Sequence, residues 1–293
     1  MRFAYLPLAF FLTIVSIARV SAEPALASLQ AILTSPVAPH DTIGYDLYRW
    51  DAFPSILVID TPDFHFQDRM FSRLAFFLEK RGFRGRLLDN NALESLHGWN
   101  AHDYGPDGLA SFFNAVELTA MTLNPEEIIL RDIALDQGII AMVRDNYAPG
   151  VGGILSISRS SSFYERRLLL THESFHGIFF ASPQYREFCF QLWDSLSPRM
   201  QTFFIRFLEQ MGYAADYRFL CVNEFQAYLM QQPVRYAPEY FQRVRQRFGG
   251  AETQVPVGAL LEAARRLDGY LESRFDIHAG QTVQIRRARG ESE

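Results

Sequence analysis

Residues 168–180 read Leu-Leu-Leu-Thr-His-Glu-Ser-Phe-His-Gly-Ile-Phe-Phe, an apolar run that carries three ionisable side chains. Residues four apart lie one above the other on a helix, so His172 and His176 are predicted to face the same way, with Glu173 beside them. This H-E-x-x-H spacing is typical of a helix that binds zinc through two histidines and uses the glutamate as a base. The run therefore predicts a metal site for hydrolysis on a buried helix.

A histidine pair without a metal is the alternative, because seven histidines in 293 residues can fall into this pattern by coincidence. The apolar neighbours of the motif argue against it. An ionisable trio buried among leucine, isoleucine and phenylalanine side chains would lose its solvation without compensation, unless a metal or another partner satisfied it.

The first 22 residues have the pattern of a secretory signal peptide. Arg2 gives a positive start, residues 3–17 are almost wholly apolar, and residues 20–22 end in a small-x-small cleavage pattern. The apolar run of about 15 residues is short for a membrane span, which needs about 20, although an uncleaved anchor is an open alternative. No later stretch is apolar enough to span a bilayer, so residues 23–293 are expected to be exported, periplasmic or secreted, without stable membrane insertion.

The composition is that of an ordinary globular protein, with 48% hydrophobic and 21% charged residues. The formal net charge of -5 becomes about -7 once Arg2 and Arg19 leave with the signal, which argues against nucleic acid as a partner. The 26 phenylalanines are therefore expected to form core. In an exported chain, Cys189 and Cys221 either form a disulfide or remain two buried free thiols.

Residues 23–148 are predicted to form a small N-terminal α/β region. A β-branched strand at 55–60, a helix at 66–81 and a return strand at 85–88 suggest one βαβ unit. A further helix is predicted at 109–122. The region therefore belongs to a different structural class from the helical part that follows it.

Acidic and polar residues interrupt these elements. Asp60, Asp63 and Asp89 fall at strand ends or helix starts, and they are expected to cap backbone N–H groups. Residues 97–108 are rich in turn formers and predict a loop, which is either a substrate-facing wall or an ordinary surface loop. Residues 127–143 fit a helix and a strand equally well.

Residues 149–250 are predicted to hold the metal-binding region, and residues 251–293 a helix and a polar, Arg-rich tail. Residues 154–159 alternate as a half-exposed strand would. That strand is either a sheet edge open to an added peptide strand or an ordinary sheet strand. Beyond the H-E-x-x-H helix, helices are predicted at 184–211, 217–231 and 256–275.

A zinc hydrolase keeps three protein ligands and one exchangeable position, so the two histidines need a third partner. A metzincin continuation is excluded, because it needs glycine at 179 and histidine at 182, where this chain has Phe179 and Ser182. A thermolysin-like spacing would place glutamate at position 195, which is serine. The third ligand must therefore come from elsewhere in the chain.

Glu224 is the best candidate for the third ligand, because it shares one face of an apolar helix with a polar residue four positions later, Tyr228. Asp194, Glu187 and Glu209 are lesser rivals. The alternative for Glu224 is a helix glutamate in a salt bridge.

These residues resemble the gluzincin zinc metallopeptidases, which combine an H-E-x-x-H helix with a glutamate from a second helix at variable separation. Residues 223–228, Asn-Glu-x-x-Ala-Tyr, look like the second motif of that superfamily. The resemblance covers residues 150–231 and implies zinc as the cofactor, Glu224 as a ligand, and an α+β fold with a zincin-like catalytic core. Members often carry aspartate where this chain has Tyr228, whose hydroxyl could support a ligand histidine.

The resemblance implies an exported zinc metallopeptidase that acts on a peptide or protein substrate. Glu173 would take a proton from the attacking water and pass it to the leaving amine. Tyr217 is the expected donor to the tetrahedral oxyanion, ahead of Arg218 and Tyr213, which also precede the Glu224 helix.

Two other functions stay open. One is an envelope binding or scaffold protein that keeps the metal site without turnover, and the other is a protein in which the motif binds no metal. Glu173 argues against a purely structural zinc site, because such a site prefers four closed protein ligands and has no need of a base.

Overall fold

The computed structural model describes residues 23–35, 44–248 and 254–280, so the predicted signal peptide and most of the polar tail lie outside the described residues. The strands are β1 (Ala25–Ala27), β2 (Asp46–Trp50), β3 (Ile56–Thr61), β4 (Ala101–Tyr104), β5 (Ile140–Val143), β6 (Asn146–Pro149) and β7 (Gly153–Ser158). The helices are α1 (Leu29–Leu33), α2 (Phe64–Leu78), α3 (Asn90–Leu93), α4 (Pro106–Thr119), α5 (Pro125–Asp136), α6 (Phe163–Ala181), α7 (Pro183–Ser195), α8 (Pro198–Met211), α9 (Arg218–Met230), α10 (Ala237–Phe248) and α11 (Val257–Phe275), with a 3₁₀ turn at Val234–Tyr236.

A five-stranded mixed sheet in the order β1-β2-β3-β7-β4 lies at the centre of the fold. β3 and β7 are parallel neighbours along their whole length, whereas β4 pairs antiparallel with β7 and forms one edge. β5 and β6 form a separate hairpin. Within the described residues, no helix is both long and apolar enough to cross a membrane.

Helices cover both faces of this sheet. Val58 and Leu155 point into a large hydrophobic cluster with α1 and α6 to α11, whereas Ile59 and Ile154 point into a second cluster with α2, α4 and α5. Successive strand residues face opposite sides, so a strand covered on both faces needs apolar residues at consecutive positions. The predicted mixed α+β class is therefore confirmed, with most of the helical mass on the α6 side.

The predicted βαβ unit in the N-terminal region is wrong. Residues 86–89 form no strand, and the strand that follows α2 in the sheet is β4, which runs antiparallel to β7. The predicted loop at 97–108 is also wrong over most of its length, because it contains β4 and the start of α4. β4 lies between Gly98 and Gly105 and has only four residues. That is too few for an alternation of apolar and polar positions to be recognised in the sequence.

The half exposure predicted for the strand at residues 154–159 is wrong as well, and of the two alternatives for this strand the ordinary sheet strand is confirmed and the open edge is wrong. β7 lies between β3 and β4, and all its residues are buried. Ser156 stands at a polar position of the alternating pattern, but its hydroxyl accepts a hydrogen bond from Gln67 Nε2 at 3.1 Å. The polar positions of this alternating pattern are therefore buried, hydrogen-bonded serines and not solvent-exposed side chains.

Two ambiguous segments of the sequence are resolved. Residues 127–143 contain the end of α5 and then β5, separated by Gly138 at a φ of 69°. The helix predicted at 184–211 is two helices, because Ser197 caps a new helix that has proline at its first position. Cys189 and Cys221 are buried free thiols, so the disulfide alternative is wrong.

Asp63 and Asp89 cap α2 and α3 as predicted, whereas Asp60 has another role. Asp60 is buried at the end of β3, where it accepts hydrogen bonds from both terminal nitrogens of Arg166, at 2.8 and 3.0 Å. A two-point guanidinium–carboxylate pair fixes relative orientation as well as distance. Because Arg166 belongs to α6, this ion pair orients the first turn of α6 against the sheet.

Two further features hold α6 in place. Ser162 and Glu165 form a capping box that starts the helix. Gly177 lets the helix approach the sheet, because a Cβ atom there would lie 3.2 Å from Ile56 Cγ2 and 3.3 Å from Leu155 Cδ1. The H-E-x-x-H segment therefore lies directly against β3 and β7.

We expect Gly177→Val to lower the free energy of unfolding by about 1–3 kcal/mol, because the added methyl groups overpack the contact between α6 and the sheet. Urea unfolding measures this change. The matched control is Gly269→Val in α11, where a Cβ atom would have no neighbour within 4 Å. Equal effects at the two positions would contradict the close approach of α6 to the sheet.

Candidate metal centre

Two helices bring the three predicted ligands together. α6 carries His172 and His176 one turn apart, and α9 packs against it with Glu224. The Nε2 atoms of the two histidines lie 3.1 Å apart. Glu224 Oε2 lies 3.6 Å from His172 Nε2 and 3.8 Å from His176 Nε2. All three side chains are buried, with exposed fractions of 8%, 1% and 3% for His172, His176 and Glu224.

The three atoms fit a zinc ion. In the plane of the three atoms, the point equidistant from them lies about 2.0 Å from each. This distance matches zinc–nitrogen and zinc–oxygen distances of about 2.0–2.2 Å. Glu224 Oε2 is buried and has no hydrogen-bond partner among the described residues. Imidazole nitrogens and a carboxylate oxygen are also the donor set that zinc accepts in catalytic sites.

Gln231 fixes the orientation of His172. His172 Nδ1 lies 2.9 Å from Gln231 Oε1, which is an acceptor, so Nδ1 carries the proton and Nε2 presents its lone pair to the centre. Gln231 follows α9 about two turns after Glu224, so one helix supplies both a ligand and a support. Tyr228 packs its ring against the His172 ring instead, with centroids 4.6 Å apart.

Asp103 stands behind His176. Its Oδ1 lies 3.6 Å from His176 Nδ1, and its Oδ2 accepts a hydrogen bond from Asn223 Nδ2 at 3.5 Å. Strand alternation turns Asp103 toward α6, while its neighbours His102 and Tyr104 pack on Phe71 at the opposite face. The 3.6 Å separation is longer than a hydrogen bond, and His176 Nδ1 has no hydrogen-bond partner among the described residues. A carboxylate that closed this gap would fix the ring of His176 and raise its basicity.

Sequence analysis missed Asp103 as a residue of the centre, because it assigned residues 97–108 to a loop. The available signal was the unusual density of ionisable side chains in that segment. Gln231 was also missed, because glutamine at a helix end carries no signal of its own. Both residues act through contacts between elements that are distant in sequence.

Glu173 is buried beside the ligands. Its desolvation, together with the charges of Glu224 and Glu79, raises its pKa well above the usual value for glutamate. Glu173, Asp103 and His176 each have one atom that could bind a metal ion, and these three atoms lie within 4.8 Å of one another. A carboxyl group with a raised pKa next to a metal site is suited to taking up and releasing a proton.

Glu79, at the end of α2, adds a further buried carboxylate. It accepts a hydrogen bond from Trp99 Nε1 at 2.7 Å, and its burial and the charge of Glu224 raise its pKa to about 8. Burial lowers the pKa of the adjacent Lys80 to about 8. Carboxyl groups that repel one another in a desolvated site favour a bound divalent cation.

The candidate oxyanion donors lie in different surroundings. Tyr217 is 39% exposed and has the Arg84 guanidinium 3.7 Å from its ring centroid, and no described contact joins it to the ligands. Arg218 forms an exposed ion pair with Asp194. Tyr213 is buried, and its burial and the charge of Glu224 raise its pKa well above the usual value for tyrosine. The structure therefore places Tyr213 in the field of the centre.

Two cavities flank the centre, and each reaches one of the residues that support a ligand histidine. The Asp103 cavity has a volume of about 420 Å³, and its lining includes Asp103, Asn223, Glu79, Arg84 and Tyr217. The Gln231 cavity has a volume of about 660 Å³, and its lining includes Gln231, Thr171, Tyr240, Arg167 and Arg243. Neither lining includes His172, Glu173, His176 or Glu224, so each cavity ends at a residue that lies behind a ligand and not at the ligands themselves.

We expect Asp103→Asn to weaken zinc affinity by about 10–100-fold, because the amide no longer strengthens His176 as a ligand. Competition with a chelating fluorophore measures the affinity. The control is Asp107→Asn, which removes an exposed carboxylate from the wall of the same cavity. The role of Asp103 is refuted if both variants bind zinc as the unchanged protein does.

We expect the metal-free protein to lose stability as pH rises from about 6.5 to 8. The pKa of Glu79 rises from 4.5 in the unfolded chain to about 8 in the folded protein, so in this window Glu79 holds its proton in the folded state and not in the unfolded chain. The lowered pKa values of His102 and His176 act in the opposite direction, but only below about 6.5, and the lowered pKa of Lys80 acts only above about 8. Thermal unfolding between about pH 6.5 and 8 checks this, and Glu79→Gln should flatten the slope. Unchanged stability in the unsubstituted protein would be the contrary result.

Comparison of the chain with protein-family models, with curated proteins and with solved structures finds no match. The chemistry of the centre is therefore inferred from its own residues.

Proposed function

We propose that this protein is an exported zinc-dependent peptidase with a zincin-like core. The observation that carries the proposal is the convergence of His172 Nε2, His176 Nε2 and the unpartnered Glu224 Oε2, with Glu173 beside them. The H-E-x-x-H helix lies against a mixed sheet, and the third ligand comes from a second helix, which also supports this proposal. A purely structural zinc site would have no use for a buried base.

Each residue of the centre has a separate role in the proposed reaction. Zinc, when bound, supplies a Lewis acid that polarises the scissile carbonyl and lowers the pKa of water. Gln231 and Asp103 hold the two imidazoles in orientation. Glu173 accepts the proton of the attacking water and passes it to the leaving amine, a role that its burial beside the ligands suits.

The developing oxyanion needs a further hydrogen-bond donor. Tyr213 is a better candidate than Tyr217, because it is buried and lies within the field of Glu224. A donor that is already desolvated and held by packing needs little reorganisation during the reaction. The Tyr213 ring is held in this way, because it stacks on Trp99 with centroids 4.7 Å apart.

A second candidate function is a scaffold protein that keeps the metal without turnover. The burial of the ligands favours it, because even the most exposed one, His172, is only 8% exposed. The two functions differ in what Glu173 does. In the scaffold it has no proton to transfer, so its replacement would change no activity.

We expect about one zinc per chain in protein purified without added metal, and close to none in a His172→Ala, His176→Ala double variant. Plasma mass spectrometry measures the metal content. The matched control is the double variant His65→Ala, His97→Ala, which removes two exposed histidines. Absence of zinc from every protein, even after incubation with zinc and dialysis, would refute the proposed function.

We expect Glu173→Gln to retain zinc but to lower cleavage of a peptide library by about 10²–10⁴-fold, the usual contribution of a general base. Mass spectrometry of the digested library gives the rates. Glu187→Gln, an exposed change on α7, is the control and should cleave as the unchanged protein does. Cleavage that survives in the Glu173 variant would exclude it as the base.

We expect Tyr213→Phe to lower kcat by about 10²–10³-fold with zinc content unchanged, because one donor to the oxyanion is lost. Tyr217→Phe is the matched control, since it removes the hydroxyl of the exposed tyrosine. Steady-state kinetics on one cleaved peptide compares them. A larger loss of kcat in Tyr217→Phe than in Tyr213→Phe would identify Tyr217 as the donor.

A further inference from the structure

The lining of the Gln231 cavity is strongly basic. It includes three arginines, Arg167, Arg243 and Arg247, and one acidic residue, Glu239. The whole chain, in contrast, carries a formal net charge of -5. Clefts lined by one sign of charge attract ligands of the opposite sign. The cavity is therefore suited to an anionic group.

Two of these guanidinium groups, those of Arg167 and Arg243, are accessible to an incoming anion. Arg243 pairs with Glu239 on the same helix, but the two side chains are 71% and 53% exposed. An exposed pair of this kind is weak because water screens both charges, so a ligand carboxylate can displace Glu239. Arg167 is exposed, and its guanidinium lies 5.7 Å from the centroid of the Tyr164 ring.

The walls of the cavity favour a carboxylate on an organic ligand over a small inorganic ion. Tyr164, Tyr236 and Tyr240 line it and offer both apolar ring surface and hydroxyl groups. Its volume of about 660 Å³ exceeds what a single small anion fills. Arginine forks match the two oxygens of a carboxylate.

The cavity ends beside the metal centre, and its lining includes residues next to a ligand but not the ligands themselves. Thr171 and Gln231 line it, and they adjoin His172 through the chain and through the 2.9 Å contact of Gln231 Oε1. Gln231 is only 7% exposed, and its Nε2 has no hydrogen-bond partner among the described residues. A molecule bound in this cavity is therefore separated by one side chain from His172, a proposed zinc ligand.

We propose that the Gln231 cavity binds an acidic side chain of the substrate, so that the protein selects peptides with glutamate or aspartate on the His172 side of the cleaved bond. This inference rests on the proposed peptidase function. The Asp103 cavity is less suited to an acidic side chain, because three carboxyl groups, those of Glu79, Asp103 and Asp107, line it beside its two arginines. We therefore expect the preference for an acidic residue on one side of the bond only.

Paired peptides test this selectivity. Each cleaved library peptide is resynthesised with glutamate or glutamine at every position in turn, and kcat/KM is measured for both. At one position we expect glutamate to be preferred by roughly tenfold or more, because a charge-assisted bond replaces a neutral one. In the double variant Arg167→Gln, Arg243→Gln the ratio should fall toward one while zinc content is kept.

The matched control is Arg265→Gln, Arg274→Gln, which makes the same change in charge on exposed residues of α11 and should keep the preference. Cleavage without a preference for glutamate, or a preference that survives in the Arg167, Arg243 variant, overturns the inference and leaves the peptidase function standing.

Calorimetry separates this failure from failure of the proposed function itself. If no peptide is cleaved, a glutamate-containing peptide, its glutamine counterpart and inorganic phosphate are titrated into the zinc-loaded protein. Binding of the glutamate peptide alone, lost in the Arg167, Arg243 variant, supports the acidic site while the peptidase function fails. Absence of binding, or phosphate binding as tight as the peptide, overturns the inference.

Discussion

Two imidazole nitrogens and a carboxylate oxygen converge inside the protein, and the packing of α6 against the sheet and α9 keeps them together. Two imidazole nitrogens 3.1 Å apart and a buried carboxylate oxygen without a partner repel one another unless a cation or proton lies between them. The fold holds them in place despite that repulsion. The Asp60–Arg166 ion pair and the close approach at Gly177 press α6 onto the sheet, so the histidines have little freedom to separate.

The centre draws on all three layers of the fold. Asp103 comes from the edge strand of the sheet, Glu79 from the helices on one face, and Glu224 and Gln231 from the helix that packs on α6 at the other. Carboxyl groups outnumber cationic groups in this buried region, and burial together with that imbalance raises the pKa values of Glu173 and Glu79. A divalent cation would relieve the imbalance.

How much could be predicted from the sequence depended on the range of the interactions. The facing pair His172 and His176 followed from helical periodicity, which is local, and Glu224 followed from a polar residue on an otherwise apolar helix. Asp103 did not follow, because β4 is too short to show a period and its pairing partner lies more than fifty residues away. The serines of β7 led to the wrong prediction of a half-exposed strand. A buried, hydrogen-bonded hydroxyl group and an exposed one give the same alternating sequence pattern.

Anomalous diffraction at the zinc absorption edge, from crystals of zinc-loaded protein, shows which residues bind the metal. We predict one strong peak bound by His172 Nε2, His176 Nε2 and Glu224 Oε2, with Gln231 and Asp103 behind the two histidines. A zinc peak held by other residues, for example the exposed group Asp268, Glu272 and His278, with none between α6 and α9, would contradict it.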